Sequence, residues 1–198
     1  MTPFKAVSSN LIPIDVINID TDQIIPKQFL KLVQKTGYDK FLFYDWRFDK
    51  DGNQKKDFIL NNPNYRDRSI LLVRENFGSG SSREHAVWAL RDFGIKAIVA
   101  PSFADIFYNN CFKNGVLPIT INHDYIEYLF NHAETVKIKI DLTAQSMEFD
   151  SNIIYFKISE SNKKMLMEGI DEIGMTFKFE SYISEFEKTK STYSLNVV

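Results

Sequence analysis

The segment from Ser69 to Ala100 limits the possible folds more than any other part of the sequence. It begins with the apolar run SILLV (69–73), which has the length and composition of a buried strand. After a turn rich in glycine and serine, apolar residues recur at helical spacing from Ala86 to Phe93, and Gly94 is a typical C-terminal stop. The run IKAIVA (95–100) again has the character of a strand. This order predicts a βαβ unit with two parallel strands and a right-handed crossover.

Weaker patterns predict the remaining elements. The opening segment alternates loosely up to Ile19 and predicts a strand that ends in a polar loop. The aromatic-rich section 38–68 contains turn signals and predicts a long excursion over the surface or into a partner. Further predictions are a short helix at 27–36, a helix within 102–114, a strand at 116–120, an antiparallel strand pair at 135–142 and 153–159, a last helix within 163–174, and a loosely ordered tail after Lys188. We therefore expect one α/β domain, residues 1–198, whose mixed sheet has the parallel βαβ unit at its centre, helices outside and the C-terminal strand pair as an extension.

Composition narrows the classes of function. With 198 residues, 44% of them hydrophobic, the chain is long enough to bury a sizeable core within one domain. A net charge of −2 gives no basic surplus, so binding to nucleic acid is not expected. No window approaches the roughly 18 apolar residues of a membrane span, and no signal peptide is recognisable, so we expect a cytoplasmic protein without a membrane partner. A single cysteine cannot form an intramolecular disulfide, which agrees with a reducing compartment.

The turn between the predicted strand and helix, ENFGSGSSREH, combines backbone freedom with polar groups. Gly78 and Gly80 allow positive φ angles and let another group approach the backbone closely. The N–H groups of Ser81, Ser82 and Arg83 are expected to open the helix and to attract anions, because the helix dipole places partial positive charge there. Arg83 adds a full positive charge, and the planar fork of its guanidinium suits a carboxylate. The helix dipole and the Arg83 charge both favour ionisation of a neighbouring serine. The turn can therefore hold a carboxylate and take a proton beside it.

Simpler interpretations of the same features remain open. Ser81 and Glu84 have the spacing of a capping box, which is far commoner than an active site. No Walker sequence and no strand-anchored Gly-x-Gly-x-x-Gly is present, so nucleotide binding is not supported. His85 lies on the N-terminal turn of a predicted helix, and His123 and His132 show no partner at metal-ligand spacing, so we expect no metal site. Cys111 follows an aromatic-rich helical pattern and is expected to be a buried structural thiol.

Four longer motifs carry a resemblance to a known family. They are IDTDQIIPKQFL (19–30), FYDWRF (43–48), NFGSGSSREHAVWAL (76–90) and APSFADIFYNN (100–110). Together they resemble the small subunits of bacterial 3-isopropylmalate dehydratases, which are swivel domains of the aconitase superfamily. The Gly-Ser-Ser-Arg-Glu-His sequence marks the superfamily, whereas the first two motifs are more particular to the isopropylmalate small subunits. The resemblance covers nearly the whole chain and implies an α/β fold of the aconitase swivel type.

The resemblance also implies an activity, a cofactor and a partner. The activity is the interconversion of 2-isopropylmalate and 3-isopropylmalate by dehydration and rehydration through 2-isopropylmaleate, in leucine biosynthesis. In that family a large subunit carries a 4Fe-4S cluster, and the small chain is active only together with it. The sequence agrees independently, because such a cluster needs several thiolates and this chain has one cysteine. We therefore expect a large-subunit partner, a small dicarboxylate substrate and no cofactor bound by this chain.

The same resemblance implies roles for individual residues. Ser81 matches the family serine that acts as the base, and Arg83 matches the arginine that holds a substrate carboxylate. Ser82 and the backbone at Gly80 would complete the substrate-binding site. Asp22 matches an acidic residue near the base that orients an arginine or the serine, with a structural Asx-type turn as the alternative.

One feature of the family site is missing from this chain. A second carboxylate-binding arginine of aconitase has no counterpart between Ile24 and Gln34. That difference is expected if an isopropyl group replaces a carboxylate of citrate, because an apolar pocket then replaces a cation. Arg47 is a candidate for contacts with substrate or the large subunit, or an ordinary structural arginine. The alternative functions are the small subunit of homoaconitase, citraconate hydratase or dimethylmalate dehydratase, and a non-catalytic module that binds an anion or a partner.

Overall fold

Within residues 1–31 and 36–189, which the computed structural model describes, seven strands form one mixed sheet. They are β1 (Ala6–Ile14), β2 (Ile70–Val73), β3 (Ala97–Ala100), β4 (Leu117–Thr120), β5 (Lys137–Asp141), β6 (Ser146–Phe149) and β7 (Asn152–Tyr155). Their order across the sheet is β4-β3-β2-β1-β5-β6-β7. Strands β1 to β4 pair in parallel, and β5 to β7 continue the sheet antiparallel. The predicted mixed α/β sheet is confirmed.

Helices cover both faces of the parallel strands, which explains why the two central ones, β2 and β3, are apolar throughout. The α-helices of the described ranges are α1 (Thr21–Ile24), α2 (Tyr44–Arg47), α3 (Glu84–Phe93), α4 (Asp105–Lys113), α5 (His123–Asn131), α6 (Glu160–Glu168), α7 (Glu172–Phe177) and α8 (Glu180–Thr189). Successive side chains of a strand point to opposite faces of the sheet. In β2, accordingly, Leu71 belongs to the core that includes α3, and Leu72 belongs to the core that includes α5 and α6.

The βαβ unit predicted from the sequence is present as β2, α3 and β3. The two strands are neighbours and pair in parallel. Helix α3 buries one apolar face and ends at Gly94, whose φ of 104° lies in the left-handed region that favours glycine. The turn from Glu75 to Arg83 therefore follows the carboxyl end of β2, as predicted.

The strand pairing in the C-terminal half differs from the prediction. The sequence predicts that 135–142 and 153–159 pair with each other, but β6 lies between β5 and β7 and pairs with both. Tight turns flank β6, with positive φ at Gln145 and Asp150. Its sequence SMEF alternates between polar and apolar residues, but the prediction treated 143–152 as the connection between the two strands. The predicted antiparallel pair is therefore wrong, and the segment is a three-stranded meander.

The C-terminal helices also differ from the prediction. Helix α5 was not predicted at all. The last helix predicted within 163–174 is divided at Gly169, which has a φ of 68° and ends α6, and α7 and α8 follow. None of the helices in the described ranges has both the length and the apolar character needed to cross a membrane.

The aromatic-rich section 38–68 is only partly the predicted surface excursion: residues 49–54 are exposed, whereas several of its aromatic and aliphatic residues belong to the core. It forms short 3-10 turns around α2. Tyr38, Leu42 and Phe43 are buried in the same core as α3. The aromatic residues of this section therefore mark the parts that pack in the core, whereas the turn signals between them mark the parts at the surface.

The N-terminal segment contains more regular structure than predicted. The predicted polar loop after β1 includes the single helical turn α1. Of the helix predicted at 27–36, the structure shows a 3-10 helix at Lys27–Lys31. Residues 32–35 lie outside the described ranges, and so does the end of the predicted tail, 190–198.

Candidate active site

The candidate site lies where two loops meet at the carboxyl edge of the parallel strands. One loop leads from β1 into α1, and the other leads from β2 into α3; since β1 and β2 are neighbours, the loops run side by side. The Gly78 N–H donates to the Ile19 carbonyl at 2.8 Å, and the Thr21 N–H donates to the Ser79 carbonyl at 2.9 Å. The Thr21 hydroxyl donates to the Ser81 carbonyl at 3.0 Å. These bonds fix the turn that carries the two serines against α1.

Both glycines of the turn have backbone conformations that favour glycine. The φ angles are 78° at Gly78 and 89° at Gly80. Gly78 is also required for space, since a Cβ there would lie 2.1 Å from Cγ of Phe107 in α4. A Cβ at Gly80 would meet only ordinary contacts, the nearest being the Thr21 hydroxyl at 3.5 Å. The group that approaches Gly78 closely is therefore a core side chain of the chain itself.

A capping box positions the acidic residue of the site. Asp20 is the N-cap of α1: its carboxylate accepts from the Gln23 N–H at 2.7 Å, and its own N–H donates to the Gln23 side-chain oxygen at 2.8 Å. The Asp-x-x-Gln spacing is a recognisable signal for this arrangement, which the sequence analysis missed. Local capping is thus performed by Asp20, and Asp22 is left to contact the second loop.

Asp22 forms a two-pronged ion pair with Arg83. Nη1 of Arg83 donates to Oδ1, and Nη2 donates to Oδ2 at 3.1 Å. The Arg83 side chain is 10% exposed and that of Asp22 is 39% exposed. The hydrogen bond from Arg83 holds the pKa of Asp22 below its usual value despite some burial, and Lys27, whose Nζ lies 3.6 Å away, acts in the same direction. This geometry places Asp22 where it can orient the arginine, which is one of the two roles that the resemblance implied.

Ser81 and Ser82 lie exposed in the loop before α3. The helix begins at Glu84 with Arg83 as its N-cap residue, and Arg83 makes no side-chain capping hydrogen bond. The capping-box interpretation of Ser81 is therefore wrong, and so is the expectation that the N–H groups of both serines open the helix. Within the described part of the chain the Ser81 hydroxyl has no hydrogen-bond partner, so it is available to a ligand.

A cavity of about 220 Å³ adjoins these residues. The turn residues Gly80–Arg83 line it together with Thr21, and the remaining lining includes Ala104–Phe107 at the start of α4. Ala104, the N-cap residue of α4, likewise makes no side-chain capping hydrogen bond. The start of α4 thus brings partial positive charge to the cavity, and Asp105 in its first turn adds a negative charge there. The contribution of α4 was not predicted, although the APSFADIF motif pointed to this segment.

Arg47 is not among the residues that line this cavity, and its contacts lie within the chain. It is buried, and it donates to the Asn61 side-chain oxygen at 3.1 Å and to the carbonyls of Asp39 at 2.9 Å and Leu42 at 3.3 Å. Its guanidinium also lies 5.1 Å from the centre of the Phe93 ring. Burial lowers the pKa of Arg47 from its usual value. These contacts favour the structural alternative for this arginine.

The remaining residues with reactive side chains also have structural surroundings. Cys111 is completely buried in α4, and burial raises the pKa of its thiol well above the usual value. His85 packs against the rings of Tyr38 and Trp88, and burial lowers its pKa. Across residues 1–31 and 36–189, no group of three or more His, Cys, Asp or Glu side chains is arranged to hold a metal ion.

Comparison with known proteins defines the class. The family model of the aconitase C-terminal domain matches residues 1–124. A solved structure, the 3-isopropylmalate dehydratase of Methanocaldococcus jannaschii, has a TM-score of 0.66 and 25% sequence identity, and the match covers 91% of this chain and 98% of that one. The chain has the fold of an aconitase C-terminal domain of the swivel type, with the candidate site in its Gly-Ser turn.

More similar relatives specify the family within this class. The 3-isopropylmalate dehydratase small subunit of Brevibacillus brevis is 47% identical over 191 residues, covering 94% of this chain and 98% of the relative. The small subunit of Geobacillus sp. is 50% identical over 191 residues, covering 95% and 97%. That of Bacillus subtilis is 47% identical over 196 residues, covering 98% of each chain. The chain therefore belongs to the family of 3-isopropylmalate dehydratase small subunits.

Proposed function

We propose that the chain is the small subunit of a 3-isopropylmalate dehydratase, a hydro-lyase that interconverts 2-isopropylmalate and 3-isopropylmalate through 2-isopropylmaleate. The observation that carries this proposal is the similarity to the 3-isopropylmalate dehydratase small subunit of Bacillus subtilis, with 47% identity over 98% of both chains. The exposed Ser81 hydroxyl beside the Asp22–Arg83 pair provides groups that suit the reaction.

We assign the proton transfer to the Ser81 hydroxyl. The isomerisation removes a proton from one carbon and a hydroxyl from its neighbour, and it then adds both back in the opposite sense. Ser81 takes the proton as the carbon–carbon double bond forms and returns one on rehydration. Serine ionises reluctantly, and positive charge nearby favours its alkoxide. Arg83 supplies this charge, of which Asp22 offsets part, and the start of α3 directly after the turn adds to it.

We assign the binding of a substrate carboxylate to Arg83. A guanidinium has about five N–H donors, and Asp22 engages only part of them, so donors remain for a ligand. Ser82 and the backbone at Gly80 line the same cavity and complete the binding site. Asp22 acts through Arg83 and keeps the guanidinium in one orientation as the substrate binds and leaves.

The residues of this chain do not fit an iron–sulfur cluster. A cluster needs several thiolates, and the one cysteine, Cys111, is completely buried. The 4Fe-4S cluster of the family therefore belongs to a large subunit, and the small chain contributes Ser81 and Arg83 to a site completed by that partner. The exposure of Ser81 and Ser82 at the carboxyl edge of the sheet supports this arrangement.

A leucine auxotroph without its own small subunit tests the proposed function. We expect this chain, expressed with the matched large subunit, to restore growth without leucine, and we expect Ser81→Ala at equal protein level to fail. Equal growth with the alanine variant would contradict the assigned role of Ser81. If the unchanged chain does not restore growth and the complex acts on another hydroxy-diacid, the chain is the small subunit of a related hydro-lyase.

A further inference from the structure

The buried arginine Arg47 has one nitrogen that its structural contacts do not use. Its Nε donates to Asn61 and its Nη1 donates to the carbonyls of Asp39 and Leu42, whereas Nη2 has no hydrogen-bond partner among the residues that the structure describes. Among the same residues, every fully buried side-chain nitrogen or oxygen has a partner. Nη2 must therefore reach accessible space, although Arg47 as a whole is only 8% exposed.

That space is a second cavity, of about 230 Å³, which Arg47 lines together with other residues of the section 38–68 and the end of α3. We call it the Arg47 cavity; it shares no lining residue with the cavity at Ser81. The guanidinium is held on both faces, since its Cζ lies 5.1 Å from the ring centres of Phe48 and of Phe93. An oriented cationic donor without a partner, facing a cavity, is suited to bind a carboxylate.

The Arg47 cavity is also lined by two acidic residues, Asp39 and Asp92. The Asp92 carboxylate already accepts from the Arg91 side chain at 2.8 and 3.0 Å and from the Tyr38 N–H at 3.1 Å. The carboxylate of Asp39, which is exposed, has no hydrogen-bond partner within residues 1–31 and 36–189. The cavity therefore combines an unused donor, Nη2 of Arg47, with an unused acceptor, the Asp39 carboxylate.

The charges of the lining balance. Arg47 and Arg66 are positive, and Asp39 and Asp92 are negative. Arg66 is exposed to solvent, and we assign it no contact with a ligand. A ligand with a single charge meets a like charge in this cavity, whereas a zwitterion finds a partner for each of its charges. The lining therefore favours a molecule that carries both a carboxylate and an ammonium group.

The apolar part of the lining and the volume limit the rest of the ligand. Leu60, Pro63 and Phe93 line the same cavity, so an alkyl group placed against them is removed from water. The volume of about 230 Å³ compares with roughly 30 Å³ for one water molecule in the liquid. An amino acid with a short alkyl side chain has room there.

We infer that the Arg47 cavity binds a free α-amino acid with a short aliphatic side chain. Nη2 of Arg47 donates to its carboxylate, and the Asp39 carboxylate accepts from its ammonium group. The alkyl side chain contacts Leu60 and Phe93. This site is separate from the Ser81 turn, and the inference does not rest on the proposed function.

Calorimetric titration of the purified full-length chain with three related compounds tests the inference. They are L-valine, isovalerate, which lacks the ammonium group, and isobutylamine, which lacks the carboxylate. We expect one L-valine to bind per chain. Isobutylamine should bind roughly tenfold or more weakly, because it loses the hydrogen bond to a buried guanidinium, and isovalerate roughly threefold to tenfold more weakly, because Asp39 is exposed.

Variants of the two binding groups sharpen the test. Asp39→Asn should raise Kd of L-valine roughly threefold to tenfold and leave that of isovalerate within about twofold. Arg47→Lys loses Nη2 and should raise Kd of both compounds roughly tenfold. Asp57→Asn is the matched control, since Asp57 is an exposed aspartate of the same section that does not line the cavity, and it should leave both constants unchanged. Thermal melts report whether each variant is folded, and Asp39→Asn decides the matter if Arg47→Lys is not.

Three results would overturn the inference. They are a folded, unchanged chain that does not bind L-valine, equal affinity for L-valine and isovalerate, and an unchanged Kd of L-valine in folded Asp39→Asn. Loss of L-valine binding in Arg83→Lys but not in Asp39→Asn would place the ligand in the cavity at Ser81 and overturn it as well. The titrations need neither a large subunit nor isopropylmalate, so their outcome is independent of the proposed function.

Discussion

Replacing Ser81 with alanine is expected to lower kcat of the reconstituted enzyme by roughly a hundredfold to ten-thousandfold, the usual contribution of a positioned general base. KM should change little, because the hydroxyl acts mainly in the transition state. The fold should not suffer, since Ser81 is exposed and its carbonyl, not its hydroxyl, accepts the bond from Thr21. We expect a change in the free energy of unfolding within about 0.5 kcal/mol. Steady-state kinetics and thermal melts measure both quantities.

Ser161→Ala is the matched control for this variant. Ser161 is an exposed serine in α6 and does not line the candidate cavity. Its replacement should leave kcat and KM unchanged. A normal kcat in folded Ser81→Ala would exclude Ser81 as the base, because the loss of a general base cannot leave the chemical step intact.

Arg83→Lys is expected to lower kcat/KM by roughly tenfold to a hundredfold, the usual range for hydrogen bonds to a charged group. Lysine keeps the positive charge but lacks the planar guanidinium fork. In Arg83 this fork binds Asp22 through two nitrogens and keeps further N–H donors for the substrate. KM should rise markedly because the carboxylate is held in the ground state as well, and kcat should fall too. The variant also weakens the pair with Asp22, so thermal melts should show a modest loss of stability.

Arg66→Lys provides the control for the Arg83 variant. Arg66 is exposed and is not a residue of the candidate cavity, so its kinetics should match those of the unchanged chain. Kinetics are compared at saturating large subunit, so that weaker assembly is not mistaken for weaker substrate binding. An unchanged KM in Arg83→Lys would contradict the assignment of the substrate carboxylate to Arg83.

The central part of the fold was predictable because its signals are local. The apolar run at Ile70–Val73 has the length of a buried strand, and Gly94 marks the end of α3 by its left-handed conformation. The candidate turn lies between these two elements, so its place at the carboxyl edge of the sheet followed from them. Strand β6 gave a weaker signal, because its four alternating residues lie between two tight turns and lack the continuous apolar run of β2.

The contacts of the site were less predictable because they join distant parts of the sequence. Asp22 and Arg83 are 61 positions apart and meet only because β1 and β2 are neighbours in the sheet. Local spacing also misled in one case: the capping-box pattern at Ser81 is not used, whereas the one at Asp20 is. A capping pattern in the sequence shows that a side chain is able to cap a helix. Whether the side chain caps it depends on the residue at which the helix begins.

The central claim is that this chain supplies the base of a two-chain hydro-lyase, and a reconstitution assay tests it most directly. Purified chain and purified large subunit are mixed under anaerobic conditions with iron restored, and conversion of 2-isopropylmalate into 3-isopropylmalate is measured. We expect neither chain alone to turn over, activity that rises with added small chain until the two are equimolar, and loss of that activity with Ser81→Ala. Turnover by this chain alone, or by the large subunit at the same rate without it, would contradict the account.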